Sequence, residues 1–185
     1  DFAAIYRACD RAGHPRGFPF EPADWWRGVL MTCAMTGWRI GQVIALRWED
    51  VDLDKGHAVA RWDAEGNKGK RDMLIPLHPT VIEHFHKVRS FDPCVFPWNA
   101  DRRYLHQVFR RLQAAAGVKL KGFHDVRRMF ATLNADRMSA DALQELMQHK
   151  AYATTQRYIN MARQLQPAVS NLYVPEVGDR KVGES

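Results

Sequence analysis

Two side chains able to act together on one phosphate group stand three residues apart, His124 and Arg127. At about 100° per residue along a helix over residues 123–135, Val126, Phe130 and Leu133 fall on one side, with His124 and Arg127 together on nearly the opposite side. A core-packed helix would then present a His/Arg pair outward. Arginine offers phosphate oxygens a bidentate fork, and histidine can carry or accept a proton. The pair suits phosphate chemistry, although taken alone it also fits an ordinary solvated helix face.

The surrounding charge points the same way. The 185-residue chain has a formal net charge of +6. Between residues 101 and 128 stand Arg102, Arg103, Arg110, Arg111, Lys119, Lys121, Arg127 and Arg128 against Asp101 and Asp125. Eight cations minus two acids is +6, so the remainder of the chain is neutral. A concentrated positive field suits a polyanion such as nucleic acid, because neutralised phosphates release condensed counterions.

Other clusters point to less chemistry. Asp50, Asp52 and Asp54 alternate as in a calcium loop, but the glycine falls one place late, at Gly56. Arg61 also stands where a bidentate glutamate is required, so the segment predicts a turn entering a strand. His84 and His86, two apart on one predicted helix, face away from each other and make poor co-ligands. Cys9, Cys33 and Cys94 are odd in number and lack CxxC spacing, which predicts reduced thiols and no metal site.

Periodicity supplies the elements that must hold these groups. A helix over 2–12 is closed by Gly13, and a Pro/Gly-rich loop follows over 14–22. Helices over 24–36 and 39–48 meet at Gly37, a natural C-terminal stop. Strands over 57–63 and 72–77 flank a turn near Gly66. A helix over 79–90 and a Pro-containing loop over 91–100 lead to helices over 104–116, 123–135, 140–149 and 155–165. The fold class predicted is mostly α with a small antiparallel β-sheet (α+β). The chain lacks both a membrane-length apolar run and a signal-peptide pattern, so a cytoplasmic address is expected. Residues 1–175 read as a single domain and 176–185 as a flexible tail.

Four segments in order resemble the tyrosine recombinase, or phage integrase, family. The first is Thr36-Gly37-Trp38-Arg39-Ile40-Gly41-Gln42 with Ala45-Leu46-Arg47-Trp48-Glu49-Asp50-Val51-Asp52. The second is Gly66-Asn67-Lys68-Gly69-Lys70, ending in Leu74-Ile75-Pro76-Leu77. The third is His124-Asp125-Val126-Arg127-Arg128-Met129-Phe130-Ala131-Thr132. The fourth is Met147-Gln148-His149-Lys150, followed by Thr154-Thr155-Gln156-Arg157-Tyr158. Gln42 departs from the pattern, since the family usually carries an acid there. A carboxylate would orient the arginine by a charged hydrogen bond, a glutamine only by a neutral one.

The resemblance implies a catalytic domain without the family's N-terminal DNA-clamping domain. It also implies a mechanism. Arg39 and Arg127 would grip the non-bridging oxygens, with His124 and His149 adding hydrogen bonds and His124 receiving the tyrosine proton. Tyr158 would be the nucleophile, forming a 3′-phosphotyrosyl bond. Lys68 would protonate the leaving 5′-oxygen, with Lys70 and Arg71 close enough to keep that assignment open. No cofactor or metal is implied. The expected partners are double-stranded DNA, held also by Arg102, Arg103, Arg110, Arg111, Lys119, Lys121 and Arg128, and further protomers in a tetramer on paired sites. Such an enzyme would be nucleoid-associated. The apolar residues Ala168, Val169, Leu172, Tyr173 and Val174 after Pro167 would dock either on their own domain or on a neighbour. A type IB topoisomerase-like activity and a non-catalytic DNA-binding module, the latter favoured by Gln42, are the rival readings.

Overall fold

Pro22, at the first helical position, starts the central element with its fixed φ and missing N–H, an amide hydrogen no intrahelical acceptor would have used. That helix, α2 (Pro22–Thr36), buries residues on every side, among them Trp25, Trp26, Val29, Leu30, Met31 and Cys33. A helix apolar all round belongs inside. In the computed structural model, which describes residues 1–61, 72–134, 137–147 and 169–175, the other elements are arranged about it. α1 (Phe2–Ala8) lies ahead of it, and α3 (Ile40–Ile44) follows. β1 (Val51–Asp52), β2 (His57–Ala60) and β3 (Met73–Pro76) form an antiparallel sheet in that order, its last described pair being Ala60 with Met73. α4 (Pro79–Lys87), α5 (Arg102–Ala115), α6 (Phe123–Asn134) and α7 (Ala140–Leu146) complete the described elements. α4 and α6 pack on α2, and α1 packs on α5.

The expected α+β class is the observed one, with boundaries shifted by tertiary pairing. The helix expected over 39–48 stops at Ile44, because the chain leaves it to pair with the loop after α4. There Val95 N–H donates to the Leu46 carbonyl and Trp48 N–H to the Pro93 carbonyl, each at 2.9 Å. A 3-10 turn, Trp48–Asp50, then leads into β1. The aspartate-rich stretch is the turn expected: the Asp52 carboxylate accepts the Lys55 N–H at 2.8 Å and meets its ammonium at 3.1 Å. The helix expected over 155–165 lies outside the described residues.

His84 is buried between α1 and α4, its Nε2 2.7 Å from the Tyr6 hydroxyl and its Nδ1 2.7 Å from the Thr80 carbonyl. A carbonyl can only accept, so Nδ1 carries the hydrogen and Tyr6 donates to Nε2. Desolvation holds this imidazole below its ordinary pKa, and its neighbour His86 is exposed. Burial likewise pushes the free Cys9 and Cys33 thiols up to about 12, too high for thiolate chemistry.

Residues 169–175 pack on their own chain. Val169 and Leu172 are buried within their own chain, and Tyr173 N–H donates to the buried Asn134 Oδ1 at 3.0 Å. The Arg137 guanidinium lies 5.4 Å from the Tyr173 ring centre. The end of α6 is thus a cis seat for this stretch. Among the described residues no helix is long and apolar enough to cross a membrane.

Candidate active site

The site is organised by the turn that ends α2. Thr36 Oγ1 donates to the Thr32 carbonyl at 2.7 Å and accepts the Trp38 N–H at 3.1 Å. Gly37 between them has φ 68°, in the left-handed region that favours glycine. A Cβ there would sit 2.6 Å from Phe130 Cδ1 and 3.1 Å from Met147 Sδ. The bare backbone therefore lets α6 and α7 close onto the end of α2.

Arg39 follows as the N-cap of α3, in an extended conformation. Its N–H donates to Gln42 Oε1 at 3.0 Å, and Gln42 is 3% exposed. The glutamine holds the arginine's main chain, the contact made by the third helical residue of a capping box. That contact needs no formal charge.

Arg127 corrects an expectation. Helical periodicity put it outward beside His124, but it is 2% exposed, and its guanidinium donates from Nη1 to the Gly37 carbonyl and from Nη2 to the Met147 carbonyl. Both acceptors stand just past a helix, Gly37 after α2 and Met147 after α7. Carbonyls left over at helix C-termini carry partial negative charge, which favours a cation. Burial first and the nearby Arg39 second lower the Arg127 pKa to about 10, which still leaves it charged at neutral pH. The Gly37 turn thus has the Arg127 guanidinium on its carbonyl and the Arg39 main chain two residues on, with the Arg39 charge felt at Arg127. Among the described residues no carboxylate pairs with either.

His124 is exposed on the first turn of α6, as expected. That helix start is fixed by Asp125, whose Oδ2 accepts the Gly122 N–H at 2.9 Å. Val126 and Phe130 are buried as expected, whereas Leu133 is 37% exposed, a correction to its expected place on the core side. Lys68, His149 and Tyr158 lie outside the described residues.

Of the basic candidates, Arg103, Arg110, Arg111, Lys119, Lys121 and Arg128 are exposed, and Arg102 is half-buried. Arg110 and Lys121 line a groove of about 440 Å³ with His106, Phe109 and Leu120. Burial, then Arg102 and Arg110, lowers the His106 pKa, so cations crowd this face. Some of the charge is locally paired: Arg128 lies 3.6 Å from Asp125, and Lys121 4.0 Å from Asp1.

Replacing Gly37 with alanine combines left-handed strain with contact against Phe130. It is expected to cost about 2–4 kcal/mol of stability. Thermal unfolding checks the cost.

A mostly helical domain with a small antiparallel sheet is the fold shared by tyrosine recombinase catalytic domains. The integrase from mycobacterium phage Brujita superposes with a TM-score of 0.66 at 18% identity, covering 92% of this chain and 56% of that one. The lambda integrase catalytic core superposes with a TM-score of 0.60 at 22% identity, covering 80% of this chain and 92% of that one. Tyrosine recombinase XerA of Pyrococcus furiosus is 29% identical over 156 residues, which cover 77% of this chain and 53% of that protein. The phage integrase family model matches residues 4–164, and the chain belongs to the phage integrase family. It spans about half the length, or less, of the curated relatives it matches.

Proposed function

We propose that this chain is the catalytic part of a site-specific DNA recombinase or integrase that cuts and rejoins strands through a phosphotyrosyl bond to Tyr158. The observation that carries the reading is that Arg127 is held on the carbonyl of Gly37, two residues before Arg39, where it feels the Arg39 charge and no carboxylate among the described residues pairs with either. Like charges held together in a partly desolvated place are costly unless an anion joins them. A phosphodiester supplies that anion, and its two non-bridging oxygens match two guanidinium donors. As the phosphorus is attacked, charge on those oxygens grows, so the same donors stabilise the transition state more than the ground state.

The chemistry then needs a nucleophile, a base and an acid. The Tyr158 phenol gives its proton to a base, and His124, exposed on the first turn of α6, supports that role. The phenolate oxygen forms a bond to phosphorus as the bond from phosphorus to the 5′-oxygen breaks. The Lys68 ammonium donates a proton to that oxygen and becomes a neutral amine, leaving a free 5′-hydroxyl and a 3′-phosphotyrosyl strand. Attack by a 5′-hydroxyl runs the sequence in reverse, and a hydroxyl from a second duplex gives strand exchange. His149 completes the set with a hydrogen bond to phosphate. The exposed cations of α5, the following loop and α6 hold the duplex, and paired sites bring protomers together as a tetramer.

The test is a duplex nicked so that the short cleaved fragment diffuses away and religation fails. A protein–DNA adduct that survives denaturant is the expected result. Noncovalent binding with no adduct on any cognate duplex would reduce the chain to a DNA-binding module.

A further inference from the structure

Gly117, at φ 68°, turns the chain off the end of α5, and the Val118 N–H donates back to the Gln113 carbonyl at 3.2 Å. The Gln113 side chain, 0% exposed, then grips one residue of the connection to α6 twice. Its Oε1 accepts the Lys121 N–H at 2.6 Å, and its Nε2 donates to the Lys121 carbonyl at 3.0 Å. Nε2 also reaches the Phe109 carbonyl at 3.3 Å. A buried amide whose donor and acceptor are both used fixes the main chain and leaves the side chains of the connection free to meet a partner.

Leu120 is held out on this braced connection, 52% exposed, between the exposed Lys119 and Lys121. With Lys121 it forms one wall of the groove of about 440 Å³, and His106 and Arg110 of α5 stand on the other. Asp125 also lines the groove, but its carboxylate is engaged by the Gly122 N–H at 2.9 Å and lies 3.6 Å from Arg128. Lysines on both sides of the leucine and further cations opposite disfavour a purely apolar partner. They favour an anion that carries apolar surface of its own. A unit of nucleic-acid backbone has both, a phosphate and the carbon face of a deoxyribose.

We propose that this groove seats one backbone unit of a DNA duplex, its phosphate on Arg110, Lys121 and His106 and its sugar against Leu120. The proposal rests on the reading of this chain as a DNA-cutting enzyme. Lys121 stands three residues before His124, so a strand seated here is placed in register with the phosphate on which His124 acts. The charged groups about His106 are Arg102 and Arg110 on its own helix and Lys121 and Asp125 across the groove, with Asp1 4.0 Å from Lys121. The Phe123 ring meets the imidazole edge-on at 5.4 Å between ring centres. Burial, then Arg102 and Arg110, hold the free imidazole below its ordinary pKa. A phosphate in the groove opposes those cations, so His106 takes up a proton on binding and affinity rises as pH falls.

The experiment titrates the full chain into a short, fluorescently labelled duplex of unrelated sequence, because a backbone seat reads no bases. Lys121→Gln is expected to lower the slope of log affinity against log salt by about one, the share of one phosphate. Leu120→Ser is expected to weaken binding about threefold to tenfold at every salt concentration with the slope unchanged, since an apolar contact releases no counterions. From about pH 8 to about pH 6, wild-type affinity should rise more than that of His106→Gln. All three positions are exposed, so the variants should keep the wild-type melting temperature, which is measured alongside. An undiminished slope in Lys121→Gln, wild-type affinity in Leu120→Ser, or equal pH dependence in His106→Gln and wild type overturns the seat. Adduct formation by wild-type protein on the nicked duplex is read separately, so failure of the seat and failure of the proposed function are told apart.

Discussion

Replacing Tyr158 with phenylalanine is expected to abolish the covalent DNA adduct while leaving noncovalent affinity nearly unchanged. The substitution removes one hydroxyl and keeps the ring, so packing and charge are conserved and only the nucleophile is lost. Removing a nucleophile that no neighbour replaces costs roughly 10⁴-fold or more in rate. The adduct should therefore fall below detection, while a gel-shift titration at fixed salt gives an unchanged midpoint. An adduct at wild-type yield would show that another group attacks phosphorus. The described cysteines are poor substitutes, since burial pushes Cys9 and Cys33 to about 12.

Arg127→Ala should produce two effects where Arg39→Ala produces mainly one. Each arginine is expected to contribute about 10²–10³-fold to cleavage, as measured for a donor aimed at a developing oxyanion. Arg127 also satisfies the carbonyls of Gly37 and Met147, and stripping a donor from a buried acceptor costs about 1–3 kcal/mol. Arg127→Ala should thus lose both cleavage and melting temperature, and Arg127→Lys should recover little, since one ammonium cannot reproduce a planar fork reaching two carbonyls. Arg39→Ala should lose cleavage with a smaller thermal shift, because its main-chain contact with Gln42 survives the substitution. Thermal melts and single-turnover trapping on the nicked duplex check both variants. Normal cleavage by either would reduce that arginine to structural or surface charge.

The contrast between these arginines also marks how far sequence reasoning reaches. Residue types and helical spacing singled out His124 and Arg127 as candidates, and the ordered family motifs added Arg39. The Gly37 turn was legible because a glycine between two apolar runs has few uses other than stopping a helix. Burial of Arg127 was not legible. A helical wheel assigns an angle around one axis, but the carbonyls that draw the guanidinium inward arrive from the ends of two other helices. Leu133 failed in the same way, sharing an angular sector with Phe130 yet lying one turn further along, where it is partly exposed.

Gln42 shows a different limit. As a departure from the family pattern it suggested weakened orientation of a charged side chain, and one contact it makes is with the Arg39 main chain. The spacing of a helix cap to its third residue was the available signal. Arg61 was read only as a residue that spoils a calcium loop, because its partner Asp50 is eleven positions away across a turn. The early end of α3 likewise depends on hydrogen bonds to residues 93 and 95, which local propensity cannot register.

The most direct test of the central claim is to digest the complex trapped on a nicked duplex and weigh the peptide that carries the nucleotide remnant. The account predicts one modified peptide, containing Tyr158, with the nucleotide joined to the phenolic oxygen through its 3′-phosphate and the other fragment released with a 5′-hydroxyl. A remnant on any other residue, or a 5′-phosphate linkage to protein, would contradict it.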